Sequence, residues 1–143
     1  SCSLNNFQKI ENQNYYSIEI KTSSDGHNIY FKENLKRLFL SKEDAKKIYM
    51  LDTNISFISS KTLSVSGTNV LNSTKAEISY KLKNKETNEI IKSGKITTFP
   101  ALSSSSSSLY SQQESMKHIK ERLIKSSAKT LYMHLKFLVG RLS

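Results

Sequence analysis

Three histidines, His27, His118 and His134, are the first side chains to question, because imidazole serves both proton transfer and metal ligation. His118 and His134 fall within one helical pattern. At about 100° per residue they stand roughly 160° apart around the axis, so they cannot share a ligand. No His-Glu-x-x-His run occurs, and Cys2 has no second thiol to complete a metal site. The four glycines are too scattered for a phosphate-binding loop or a dinucleotide fingerprint. Ser66 is followed by Gly67 but has no glycine two residues before it, so the nucleophile elbow is missing. Asp25-Gly26 reads as a turn rather than as a catalytic carboxylate. The expectation is a protein that is not an enzyme and uses no metal or cofactor.

Cys2 has a different chemistry open to it. The chain reads Ser1-Cys2-Ser3-Leu4, a lone cysteine behind a small residue, as at the end of a bacterial lipobox. Its thiol would carry a diacylglycerol and its freed amine a further acyl chain. Each buried methylene contributes roughly 0.8 kcal/mol, so several chains hold a domain firmly to a membrane. The competing reading is a free surface thiol. With one cysteine no intramolecular disulfide can form. No run of 18 apolar residues exists to span a bilayer as a helix. Residues 1–14, polar apart from Leu4, Phe7 and Ile10, read as a lipidated tether, and 15–143 as a single domain.

The formal net charge is +10, with 36% hydrophobic and 24% charged residues. A basic excess favours nucleic acid, anionic lipid or an acidic protein surface. The abundance of Lys, Asn, Ile, Tyr and Phe, with no Trp and one Pro, also fits AT-rich codon usage. The lysines scatter over helices, strands and loops without an aromatic-interleaved strip, so nucleic acid is not expected as a partner.

These residues need elements to position them. Residues 74–99 predict a hairpin. Ala76, Ile78, Tyr80 and Leu82 alternate with Glu77, Ser79, Lys81 and Lys83, which puts one face on a core and the other in water. Gly94 marks a bulge or a close backbone approach. Residues 15–21 and 49–59 predict two further strands, and Leu63-Ser64-Val65 could extend the second into a protruding tip. A helix over 28–40, capped by Asn28, carries the stripe Phe31, Leu35, Leu38 and Phe39. Ser41 to Asp44 resembles another helix start. Ser103 to Ser108 reads as a loop. Ser111-Gln112-Gln113-Glu114 reads as a capping box opening a helix to about Val139. That helix, about 42 Å long, should overhang strands of about 27 Å, or bend. The apolar strand positions suffice for one face only. The fold class is therefore an α/β (α+β) two-layer sandwich. Its four-stranded mixed sheet has element order β-α-β-β-β-α, and both helices lie on one face.

This order and spacing resemble the LPS-assembly lipoprotein family LptE, nearest its alphaproteobacterial branch. The resemblance rests on Phe31 to Phe39, the Ala-x-x-x-Tyr-x-Leu of Ala76 to Leu82, and Thr87 to Gly94. Ser108-Leu109-Tyr110-Ser111, Glu121-Arg122-Leu123 and Ser127-Ala128 complete it. Gly and an aromatic commonly follow the family's cysteine, where this chain has Ser3-Leu4. The resemblance implies an outer-membrane lipoprotein, anchored on the periplasmic side. It would plug and help assemble the β-barrel LptD and assist lipopolysaccharide transport to the cell surface. The family links basic residues near the middle hairpin loop to lipopolysaccharide, which here implies Lys61 and Lys75. Its second basic site, before the last helix, has no counterpart in the serine run. The alternatives are an auxiliary lipoprotein of an ABC-type lipid transporter and a basic nucleic-acid-binding domain.

Overall fold

The computed structural model describes residues 15–40, 46–63, 70–104, 109–139 and 141–142. Cys2 and the expected 1–14 tether, the expected helix start at 41–44, Ser64 and Val65 of the expected tip and Ser105 to Ser108 lie outside them.

Alternation along the chain becomes the two faces of one sheet. Strand β2 (Ile18–Lys21) pairs in parallel with β3 (Tyr49–Leu63). Strand β3 pairs antiparallel with β4 (Val70–Asn84), and β4 with β5 (Ile90–Thr97). This β2-β3-β4-β5 path is the expected four-stranded mixed sheet. The predicted first strand is interrupted at Ser17, whose buried carbonyl accepts from the N–H groups of Ile48 and Tyr49. Before it, β1 (Tyr15–Tyr16) pairs with the C-terminal β7 (Arg141–Leu142), tying the two ends together. From each main strand alternate residues enter the core: Ile18 and Ile20, Leu51 and Ile55, then Ala76, Ile78, Tyr80 and Leu82.

Both helices cover that face. Helix α1 (Gly26–Leu38) buries Phe31 and Leu35, and Phe39 just beyond it. Its N-cap is Asp25, not the expected Asn28. The Asp25 carboxylate accepts from the Asn28 N–H at 3.1 Å and from Asn28 Nδ2 at 2.8 Å. Asn28 itself turns inward. Its Nδ2 donates to the Ile55 carbonyl at 3.2 Å, and its Oδ1 accepts from the Ile55 N–H at 2.8 Å. One amide thus supplies the pair of bonds that a neighbouring strand would make. Asn is a good cap in isolation, but a buried strand edge needs its donor and acceptor met, and that demand claims it.

Helix α2 (Leu109–Leu135) turns Ile119, Leu123, Ile124, Ala128, Leu131 and Leu135 inward. It starts two residues before Ser111, so Ser111 is a helical residue and the capping-box assignment is wrong. The expected overhang is also reversed. Strands β3 and β4 are 15 residues each, paired from Tyr49↔Asn84 to Leu63↔Val70. At about 3.4 Å per residue they reach roughly 50 Å, against about 40 Å for α2. It is the hairpin that outruns the helix.

Two local features hold the other edge of β4. Gly94 faces Tyr80, and a Cβ at Gly94 would meet the Tyr80 hydroxyl at 3.0 Å, so this glycine permits the close approach its position suggested. Past Thr97 the chain leaves β4 and returns to it. The Ala76 N–H donates to Thr98 Oγ1, the Thr98 N–H donates to the Ala76 carbonyl, and Phe99 and Pro100 swing outward. Strand β6 (Ala101–Ser104) then pairs with β4 at Leu71 to Thr74. Ser103 and Ser104 are therefore strand, which corrects the loop reading for that part of the serine run. Serine has little to bury, but β4 offers it backbone partners.

Asn28→Ala should destabilise the domain by about 2–4 kcal/mol, because it strands the N–H and carbonyl of Ile55. Urea unfolding followed by circular dichroism measures this; a change under 1 kcal/mol would mean that water replaces the amide.

Candidate functional site

Lys61 and Lys75 sit on the long β3–β4 hairpin, Lys61 in its outer part and Lys75 between the buried Thr74 and Ala76. The two-residue period of β3 puts Lys61 on the side of Leu51, Ile55 and Phe57, where the helices lie, and it is exposed. On β4, Lys75 alternates with the buried Thr74 and Ala76, so it lies on the opposite, uncovered face. Lys61 pairs with Asn72, and Lys75 with Ile58. The two are three registers apart, about 10 Å along the hairpin, and on opposite faces. The fold does not bring them into one site. Proximity in sequence suggested otherwise, because parity across a hairpin depends on its register.

The uncovered face is polar, as the alternation implied, and three of its lysines are met by carboxylates. Lys83 meets Asp52 at 3.1 Å, Lys85 meets Glu19 at 3.0 Å, and Lys95 meets Glu77 at 3.6 Å. Such solvated pairs contribute at most about 1 kcal/mol each. Lys21, Lys75 and Lys81 have no carboxylate within ion-pair reach among the described residues. Ile58 and Ile90, the latter paired with Lys83, are exposed apolar residues among them.

The helix side holds a feature not evident in the sequence. A groove of about 550 Å³ runs between the start of α1 and the first half of α2. Tyr30, Met116 and Ile124 line it, with Asp25, His27, Lys117, Lys120 and Glu121 around it. His27 packs edge-on against Phe57 at 5.2 Å, and Lys120 Nζ stands 5.4 Å from the same ring. Met116 and Tyr30 within it are only partly covered. Its polar groups bring two ammonium and two carboxylate groups together, with Asp25 already committed to Asn28. Those hydrogen bonds hold the Asp25 carboxyl below the usual aspartate range. Among the described residues no three His, Cys, Asp or Glu side chains cluster as metal ligands do. No helix among them is long and apolar enough to cross a membrane.

No family model matches the sequence, and no curated protein sequence matches it. The fold does have solved counterparts. Rare lipoprotein B from Shewanella oneidensis superposes with a TM-score of 0.65 at 12% identity, over 85% of this chain and 94% of that one. A minor lipoprotein from Acinetobacter baumannii gives 0.62 at 11% identity, over 90% and 97%. A candidate lipoprotein from Caulobacter crescentus CB15 gives 0.65 at 14% identity, over 83% and 87%. At these identities the shared property is the fold. The chain has the architecture of these solved bacterial lipoproteins across most of its length.

The depressed pKa of Asp25 makes a signed prediction. Its cap contributes stability that is complete above the unfolded aspartate pKa, about 3.9, and is lost as pH falls through the lower folded value. Asp25→Asn keeps a capping oxygen but cannot titrate. Its stability should therefore decline less steeply below pH 4 than wild type; parallel acid curves would remove the assigned role.

Proposed function

We propose that this protein is a lipid-anchored outer-membrane lipoprotein of LptE type. It seats inside an LptD-like β-barrel, helps that barrel assemble, and assists the passage of lipopolysaccharide. The observation that carries this reading is the sheet covered on one face only. Its other face is a broad lattice of charged and hydroxyl side chains, suited to the polar lumen of a wide barrel. A domain of this length has a radius of gyration of about 14–15 Å, so only a large barrel could hold it. The fold shared with three bacterial lipoproteins supports the lipoprotein role, and the lipobox-like Cys2 supports the anchor. The sequence resemblance to LptE supports the finer assignment to lipopolysaccharide transport.

On this reading Lys61 and Lys75 cannot clasp one phosphate between them. Lipid A phosphates would meet Lys61 on the helix side of the tip, with the ammonium acting as a point charge.

Detergent extraction of the Cys2-acylated protein should co-purify a large outer-membrane barrel. Recovery of the lipoprotein alone under conditions that keep such barrels folded would sink the proposal. Separately, Lys61→Glu should weaken binding of purified lipopolysaccharide several-fold with unchanged melting, while Lys75→Glu should have a smaller effect. Equal losses in both would refute the choice of face.

A further inference from the structure

Strand β2 pairs with β3 only from Tyr49 to Asp52, so among the described residues the rest of that β3 edge has no strand beside it. Which groups face the gap is settled twice over. The N–H and carbonyl of Ile55 point away from β4, since Asn28 takes both. Opposite Phe57, the N–H and carbonyl of Ala76 also point away from β3, toward Thr98. In an antiparallel ladder this parity repeats every second residue, and the β3–β4 register runs unbroken to Leu63↔Val70. Phe57, Ser59, Lys61 and Leu63 therefore present free backbone donors and acceptors outward. None of them has a partner among the described residues. Asn28 substitutes for a strand at Ile55 and closes the gap at that end.

Folded proteins usually blunt such an edge with charge, proline, a bulge or a cover. Here the seven residues Phe57 to Leu63 contain one charge, Lys61, and no proline or bulge. Residues 58–61 are exposed. The set of outward residues is symmetric about Ser60. Laid antiparallel on itself, the segment pairs Phe57 with Leu63 and Ser59 with Lys61 of the other copy, each twice. Ser60 faces Ser60 on the two-fold axis. Every outward group of the segment is used on both sides, no like charges stand directly opposite, and the paired stretch Phe57 to Leu63 stops short of the Ile55 position that Asn28 occupies.

We propose that the free edge of β3, Phe57 to Leu63, pairs antiparallel with the same segment of a second copy of this chain, centred on Ser60. The pairing does not depend on the barrel assignment; it belongs to the protein outside any barrel. The two sheets become continuous, and the bodies of the two domains lie at opposite ends of the shared hairpins.

The test uses the full 143-residue chain carrying Cys2→Ser. Sedimentation should show a concentration-dependent rise from the 16.3 kDa monomer to twice that mass. Ser59→Pro removes an outward N–H at an edge, where proline is tolerated. It should weaken association at least tenfold with unchanged circular dichroism. Ser60→Cys should give a disulfide-linked dimer under mild oxidation, because the Cα atoms of a non-hydrogen-bonded pair stand about 4.5 Å apart, within disulfide reach. Ser93→Cys, on the opposite edge strand β5, should stay monomeric. A wild-type chain monomeric at all concentrations overturns the proposal. So does crosslinking through Ser93 in place of Ser60.

Discussion

A sheet with one apolar face is the constraint on which the rest of this structure depends. Ile18, Leu51, Ile78 and Leu82 are fully buried on one side, while Glu19, Asp52, Glu77, Ser79, Lys81 and Lys83 beside them lie on the other. Such a sheet can be covered once, and the two helical stripes provide that cover. Phe31 and Leu35 from α1 and Leu131 and Leu135 from α2 are as fully buried as the strand residues they meet. At the closed end Tyr16, Phe39 and Tyr132 stack edge to face, joining the first strand, the end of α1 and the end of α2.

The features that look outward follow from how this cover is laid. Between the start of α1 and the first half of α2 a groove opens, with Phe57 against its His27 and Lys120. Strands β3 and β4 continue as a hairpin supported by β6 on one side and by nothing described on the other. The bare face follows from the one-sided apolar pattern, and the free edge from the short β2, which pairs β3 only from Tyr49 to Asp52. A domain that worked alone in water would gain little from leaving them so. They suit one that completes itself against other surfaces.

Asn28 shows how a local preference yields to a non-local need. As a residue type it fits the cap of α1, and Asp25-Gly26 before it reads as a turn. The fold gives the cap to Asp25 and spends Asn28 on the backbone of a strand 27 positions away. The paired serines of β6 make the same point: their composition reads as a loop, and β4 supplies strand partners that lie near them only after folding.

What the sequence by itself determined is therefore the set of faces. The alternation of residues 76–83 and the stripes of Phe31–Phe39 and Ile119–Leu135 specify the core, the single covered face and the two-layer class. Those patterns depend only on the periods of strand and helix, which are local geometry. The tertiary structure alone decided register, reach and juxtaposition. It made β3 and β4 longer than α2, set Lys61 and Lys75 on opposite faces, folded β6 onto β4, and gathered His27, Phe57 and Lys120 beside one groove. The physical reason is that backbone hydrogen bonds between strands and the packing of one helix beside another are agreements between distant segments. No window of neighbouring residues contains both parties to them.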